Sequence, residues 1–214
     1  MTKIIAEIGW NHMGSLSLAK KMIFQAKKNG ADIVKTQIFD VQNLKDGPWD
    51  KDGRREIYKK AQLNENKYKE LFKYAKKINC KFFASAMSIK DAELIKRVNN
   101  DLIKIPSMES RNFPLINYCA KNFKNVIISS GTSKFKEIVK SCKKIPKKKL
   151  TVLHCVSSYP CNFSDVNLPK IDLFKKFFNS VGFSDHTMGI EASILSLKYN
   201  PIYIEKHFTI DTSL

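Results

Sequence analysis

Arginine is nearly missing from this strongly basic chain. Lysine and arginine together number 38 against 20 acidic residues. Only Arg54, Arg55, Arg97 and Arg111 carry the planar fork that specific phosphate and base recognition favours. The formal net charge of +18 is therefore almost all lysine, set in doublets on helical stretches such as LAKKMIFQAKKNG and LFKYAKKINC. It reads as solvated helix faces and not as a nucleic-acid surface. The densest basic run, CKKIPKKKL, offers polyanions a weak attraction at most. Cysteine is sparse and unpatterned: Cys80, Cys119, Cys142, Cys155 and Cys161 are odd in number, far apart and contain no CxxC pair. That excludes a disulfide framework and a zinc cage, and the expected compartment is a reducing cytoplasm. No apolar run reaches the roughly 18 residues that a membrane span needs. The N-terminus, MTKIIAEIGWNH, lacks the charged and apolar regions of a secretory signal. No repeat, low-complexity tract or linker divides the chain.

What is present is an alternation. The 214 residues, 43% of them hydrophobic, suffice for one large α/β domain with a single core. Short β-branched or aromatic runs alternate with amphipathic helical segments, the pattern of repeated βα units. Eight strands are expected: KIIAEIG (3–9), DIVKTQIF (32–39), KFFASAM (81–87), DLIKIPS (101–107), NVIISSG (125–131), LTVLHCV (150–156), SVGFSDH (180–186) and PIYIEKH (201–207). Between the first two, SLSLAKKMIFQAKKNG has Ser15 as an N-cap, Gly30 as a stop, and Leu18, Met22 and Ala26 along one face. The longest connection, DVQNLKDGPWDKDGRREIYKKAQLN, follows the second strand. Eight strands favour a closed (β/α)8 TIM barrel, in which reactive groups gather at the C-terminal strand ends.

Those strand ends carry Glu7, Lys35 with Gln37, Lys104 with Ser107 and Glu109, Ser130 with Thr132, Ser157 with Tyr159, Ser184 with His186, and His207. A lysine inside an apolar strand needs a negative partner. For Lys35 and Lys104 this is either structural pairing with Glu7 or Glu109, or one anion, a phosphate or carboxylate, shared by both. His186 and His207 end neighbouring strands. They read either as satisfied core residues or as two imidazoles holding a divalent metal with open positions. Asp185 and Glu205 stand beside them as carboxylates that could orient the rings. His12, in a loop, and His154, within a strand, read as structural.

Together the stretches IIAEIGWNHMGSLSLAKKMI, GADIVKTQIF, LIKIPSMESRNFPLI, VIISSGT, VLHCVSSYP, GFSDHTMGIEA and YIEKHFTID resemble the sialic acid synthase family, in order and over essentially the whole chain. The resemblance implies condensation of phosphoenolpyruvate with the open-chain aldehyde of an N-acetylated hexosamine, giving a nine-carbon 2-keto sugar acid and phosphate, in carbohydrate biosynthesis. It implies a divalent metal, Mn2+ or Mg2+, on His186 and His207. It places Lys35, Lys104, Ser107, Ser157 and Ser184 around phosphoenolpyruvate, Gln37, Glu109 and Tyr159 around the sugar, and Glu7 where a carboxylate handles the proton of the water that attacks C2. It also implies a homodimer in which a C-terminal antifreeze-like domain reaches the partner's site with an arginine.

Three departures stand out. SAMS (85–88) replaces a pattern that commonly reads STPF, so Ala86 stands where a hydroxyl often binds phosphate. Ser157 replaces a frequent asparagine. The family's continuation beyond EKHFTID, with its sugar-contacting loop, eighth helix and C-terminal domain, has no counterpart before Leu214, which leads to the expectation of an uncovered apolar flank beside the last strand. The competing expectation is a weakly catalytic or non-catalytic barrel that binds metal and phosphoenolpyruvate as an interaction module or fragment. A metal-dependent hydrolase is a third, disfavoured because the sequence offers no carboxylate-rich metal cluster.

Overall fold

Each of the eight apolar runs forms a strand. A computed structural model describes residues 1–44, 46, 47 and 50–212. In it the strands β1 (Lys3–Gly9), β2 (Ile33–Ile38), β3 (Lys81–Ala86), β4 (Leu102–Ile105), β5 (Asn125–Ser129), β6 (Leu150–Cys155), β7 (Val181–Asp185) and β8 (Tyr203–His207) pair in parallel, in chain order, and β8 returns to β1 to close the barrel. The strands are one or two residues shorter than expected at some ends. β4 stops at Ile105 because Pro106 has no N–H to give to the ladder, and Ser107–Glu109 turns into a short 3-10 segment.

The helices α1 (Leu16–Lys28), α2 (Arg54–Ala61), α3 (Glu65–Lys77), α4 (Ile89–Val98), α5 (Phe113–Asn122), α6 (Phe135–Cys142), α7 (Lys170–Lys175) and α8 (Glu191–Ser196) lie outside the strands. α1 starts where Ser15 Oγ accepts the Leu18 N–H at 3.2 Å and stops before Gly30, whose φ of +94° suits glycine. It buries Ala19, Met22, Ile23 and Ala26. The long connection after β2 carries α2 and α3, and its positions 45, 48 and 49 lie outside the described residues.

Two cores result. The larger lies between strands and helices. The smaller is a plug inside the barrel, built from Ile5, Ile33, Phe83, Ile127 and Leu153. The plug closes the barrel from below, so polar groups placed above it face only the C-terminal mouth. On the outer side, Ile4 of β1 and Ile202 before β8 are 40% and 42% exposed; Leu214 lies outside the described residues. No helix among the described residues is long and apolar enough to cross a membrane.

Candidate active site

Side chains alternate across a strand, so the plug residues fix which positions face inward. Two residues beyond Ile5, Ile33, Phe83, Ile127 and Leu153 come Glu7, Lys35, Ser85, Ser129 and Cys155. The same parity selects Lys104, Ser184 and Glu205 on the remaining strands. All eight are at most 5% exposed. Each strand thus gives one polar residue to a buried layer above the plug.

Charge in this layer balances internally. Lys35 Nζ donates to Glu7 Oε2 and lies 3.6 Å from Glu205 Oε2, and Lys104 Nζ donates to Glu205 Oε1. Ser184 Oγ also donates to Glu205 Oε1, at 3.0 Å, and the Gly9 N–H donates to Glu7 Oε1 at 2.6 Å. Burial pushes the Lys35 ammonium down to about 7, with Glu205 opposing the shift and Lys104 adding to it. Burial alone would raise the Glu205 carboxyl, but Lys104 and Lys35 outweigh it and hold it well below the usual range. The Ser85 and Ser129 hydroxyls are buried with no hydrogen-bond partner.

The depressed Glu205 carboxyl has a consequence for stability. A group ionised more readily when folded stabilises the fold above its unfolded pKa, about 4.3, and loses that contribution as the pH falls further. Urea unfolding should therefore show wild type more stable than Glu205→Gln at pH 7, with the gap narrowing steadily as the pH falls below about 4.3 toward the depressed folded pKa. A gap independent of pH would contradict an ionised Glu205 in the fold.

Above the layer sit the two imidazoles. His186 Nδ1 donates to the Val156 carbonyl at 2.7 Å, which leaves the Nε2 lone pair facing the mouth, where Tyr159 Oη approaches at 3.2 Å. The Tyr159 ring packs on His186 with centroids 4.1 Å apart, and the His186 and His207 centroids are 5.8 Å apart. His207 stands in register with Glu7 across the β8–β1 seam. Desolvation lowers both imidazole pKa values, reinforced by the Lys35 charge at His207 and opposed by the Val156 hydrogen bond at His186. The His207 ring nonetheless remains open to solvent at the mouth. Both rings are neutral near pH 7, the form that binds metal.

Ser107, Gly131, Cys155 and Ser157 converge on one wall. Ser107 Oγ accepts the Gly131 N–H at 3.0 Å and donates to Cys155 Sγ at 3.7 Å. A Cβ on Gly131 would come within 2.8 Å of Ser107 Oγ and 3.1 Å of Cys155 Sγ, so only glycine allows this approach. Gln37 leans toward Gly9 and Glu7, half-buried; Tyr159 and Ser157 are exposed at the rim. Glu109 is partly buried and its Oε2 accepts from Asn112 Nδ2 at 2.7 Å.

Two expectations are corrected by this geometry. Lys104 pairs with Glu205 and not with Glu109, because β8 closes onto β1 and brings residue 205 into the barrel. Asp185 and Glu205 do not orient the imidazoles. Asp185 faces outward, where it accepts from Thr187, Ser193 and Lys206, and Glu205 lies in the lysine layer. The ring that orients through a neighbour is His186, through the Val156 carbonyl. Glu205, Ser85, Ser129 and Cys155 were missed as site residues, although counting by twos from Glu7-like positions selects them. His154 is structural as expected, bonded to the Val166 carbonyl at 2.7 Å within the core.

Residues 22–214 match the NeuB family. An uncharacterised protein of Methanocaldococcus jannaschii is 37% identical over 217 residues, covering 100% of this chain and 64% of that protein. The N,N'-diacetyllegionaminic acid synthase of Campylobacter jejuni is 36% identical over 230 residues, covering 100% of this chain and 69% of the synthase. The chain thus spans about two thirds of the length of these curated relatives. Among solved structures, the N-acetylneuraminic acid (sialic acid) synthetase of Leptospira borgpetersenii, crystallised with citrate, superposes with a TM-score of 0.91 at 33% identity, covering 99% of this chain and 74% of that one. With a closed eight-stranded barrel, a family match over most of its length and relatives named as synthases, the chain belongs to the NeuB family.

Proposed function

We propose that the barrel condenses phosphoenolpyruvate with the aldehyde of an N-acetylated amino sugar, forming a sialic-acid-like nonulosonate and phosphate. One observation carries this reading: two buried lysines, held by buried glutamates, lie under a mouth lined by two neutral imidazoles. Lysines on the floor of an open mouth, above the apolar plug, suit a ligand bearing phosphate and carboxylate. The unpartnered Ser85 and Ser129 hydroxyls offer such a ligand further donors.

Electrostatics also favours a metal here. Lys35, Lys104, Glu7 and Glu205 sum to no net charge, so a multiply charged anion entering the layer requires added positive charge. His186 and His207 would hold a divalent ion, Mn2+ or Mg2+. Among the described residues no cluster of three or more histidine, cysteine or carboxylate side chains accompanies them, so the other ligands would be water and substrate oxygen. When bound, the ion polarises the sugar aldehyde as a Lewis acid.

The chain's own groups do the rest. Lys35 and Lys104 counter the charge on phosphate and carboxylate while C3 of the enol attacks the aldehyde carbon. Ser107, Ser157 and Ser184 orient the anion by hydrogen bonds. Gln37, Glu109 and Tyr159 hold the sugar, with Tyr159 also flattening against His186 to shape the rim. As Lys35 turns to the ligand, one Glu7 oxygen is released to take the proton of the water that adds at C2. The tetrahedral carbon then collapses with C–O cleavage, expelling phosphate. The whole protein acts in the cytoplasm as a homodimer in this reading, with residues 1–214 as its synthase barrel.

The test is phosphate release from phosphoenolpyruvate with Mn2+ and a panel including N-acetylmannosamine and diacetamido hexoses. Release that needs one of these sugars is expected. Release independent of every sugar, with pyruvate formed in place of a keto sugar acid, would sink the synthase reading in favour of hydrolysis.

A further inference from the structure

The β7–β8 ladder ends one residue short of the imidazoles. Its last paired positions are Asp185 and Lys206, each directly preceding a histidine. Because side chains alternate, these two point to the barrel's outer face while the rings face the mouth. Beyond this point no backbone ladder joins β7 to β8. His207 is held instead toward β1, in register with Glu7 and with the Phe208 N–H donating to the Glu7 carbonyl at 2.8 Å. His186 is held toward the segment after β6, where the Cys161 N–H donates to the His186 carbonyl at 2.9 Å.

Side chains take over where the ladder stops. Lys206 Nζ donates to Asp185 Oδ2 at 2.9 Å and reaches past His186 to the Thr187 carbonyl at 3.0 Å. Asp185 Oδ1 accepts both the Thr187 N–H, at 2.9 Å, and its hydroxyl, at 2.8 Å; Ser193 in α8 donates to Oδ2 at 2.5 Å. The Asp185 carboxylate is buried, 1% exposed, with four donors converging on its two oxygens. One ammonium thus grips the residues on both sides of His186 from the residue beside His207.

We infer that the Asp185–Lys206 pair, seated on Thr187 and Ser193, is a positioning clamp that sets the separation of the His186 and His207 rings. The inference rests on the reading that those rings hold a divalent ion. Two ligands on strand ends that are not paired with each other bind a metal tightly only if their spacing is fixed before the metal arrives; otherwise ordering the ends costs affinity. Neither clamp residue touches the mouth, so its loss acts on the rings through the backbone.

The experiment measures Mn2+ affinity of the metal-free protein, without substrate, by calorimetry, alongside its thermal unfolding. Lys206→Met should weaken Mn2+ about tenfold or more, the scale of losses from outer partners of ligating histidines. Lys206→Arg, which keeps a cation able to reach Asp185, should restore most of it. Ser193→Ala, removing one donor from the same carboxylate oxygen, should give a smaller loss and serves if Lys206→Met fails to fold. Wild-type Mn2+ affinity in Lys206→Met, or in Ser193→Ala where the former is unfolded, overturns the clamp. So does an equal loss in Lys206→Met and Lys206→Arg. Wild-type protein that binds no Mn2+ overturns the metal reading beneath it.

Discussion

Lys104→Met is expected to lower phosphoenolpyruvate affinity by about 100-fold, the scale set by deleting one member of a buried, hydrogen-bonded charge pair. It should also destabilise the ligand-free protein by about 3–5 kcal/mol, because Glu205 is left buried with only the more distant Lys35 as counter-charge. The two effects separate in the double variant Lys104→Met/Glu205→Met. Removing both partners replaces an ion pair with apolar side chains and should recover most of the stability, while the affinity stays low. Calorimetry and urea unfolding on the same three proteins decide it. Full phosphoenolpyruvate affinity in Lys104→Met would remove the anion site, and a double variant no more stable than the single would contradict the account of Glu205 as an internal counter-ion.

His186→Ala and His207→Ala should each remove most bound divalent metal, by about 100-fold or more in affinity, since a site with only two protein ligands loses half of them. The barrel should remain folded. Both rings lie at the mouth above the buried layer, and the packing forfeited at His186 is chiefly its contact with Tyr159, worth about 0.5–1.5 kcal/mol for a ring pair. Metal analysis after desalting, with circular dichroism as the folding control, measures both halves of this. Unchanged metal stoichiometry in the two variants would return the histidines to the role of ordinary satisfied side chains.

The barrel was legible in the sequence because its strands are short β-branched runs between amphipathic helices, and because polar residues interrupt those runs only near their C-terminal ends. Lys35 and Lys104 announced themselves as inward-facing charges. Of their partners, Glu7 was legible as a candidate and holds Lys35, but Glu205 was not. Lys104 and Glu205 are 101 positions apart, and only closure of the sheet, which sets β8 against β1, brings them together. Adjacency in sequence misled at the histidines. Asp185 and Glu205 lie near them in the chain, yet alternation sends Asp185 to the outer face and sets Glu205 one layer below. Cys155 and Ser129 were hidden for a different reason: a thiol or hydroxyl inside a strand looks like any small core residue until the plug beneath it identifies which face points inward. The pKa directions follow from that same layer. Burial acts on both Lys35 and Glu205, and at Glu205 the lysines that the closed barrel supplies reverse its sign.

The central claim is a carbon–oxygen cleavage at C2 coupled to sugar condensation, and the fate of the bridging oxygen of phosphoenolpyruvate tests it most directly. With heavy oxygen in the C–O–P bridge, Mn2+ and an N-acetylated amino sugar that supports turnover, the protein should release phosphate that retains the label, as C–O cleavage requires. Labelled 2-keto product with unlabelled phosphate would mean that the phosphorus–oxygen bond breaks, and would contradict the synthase chemistry assigned to this site.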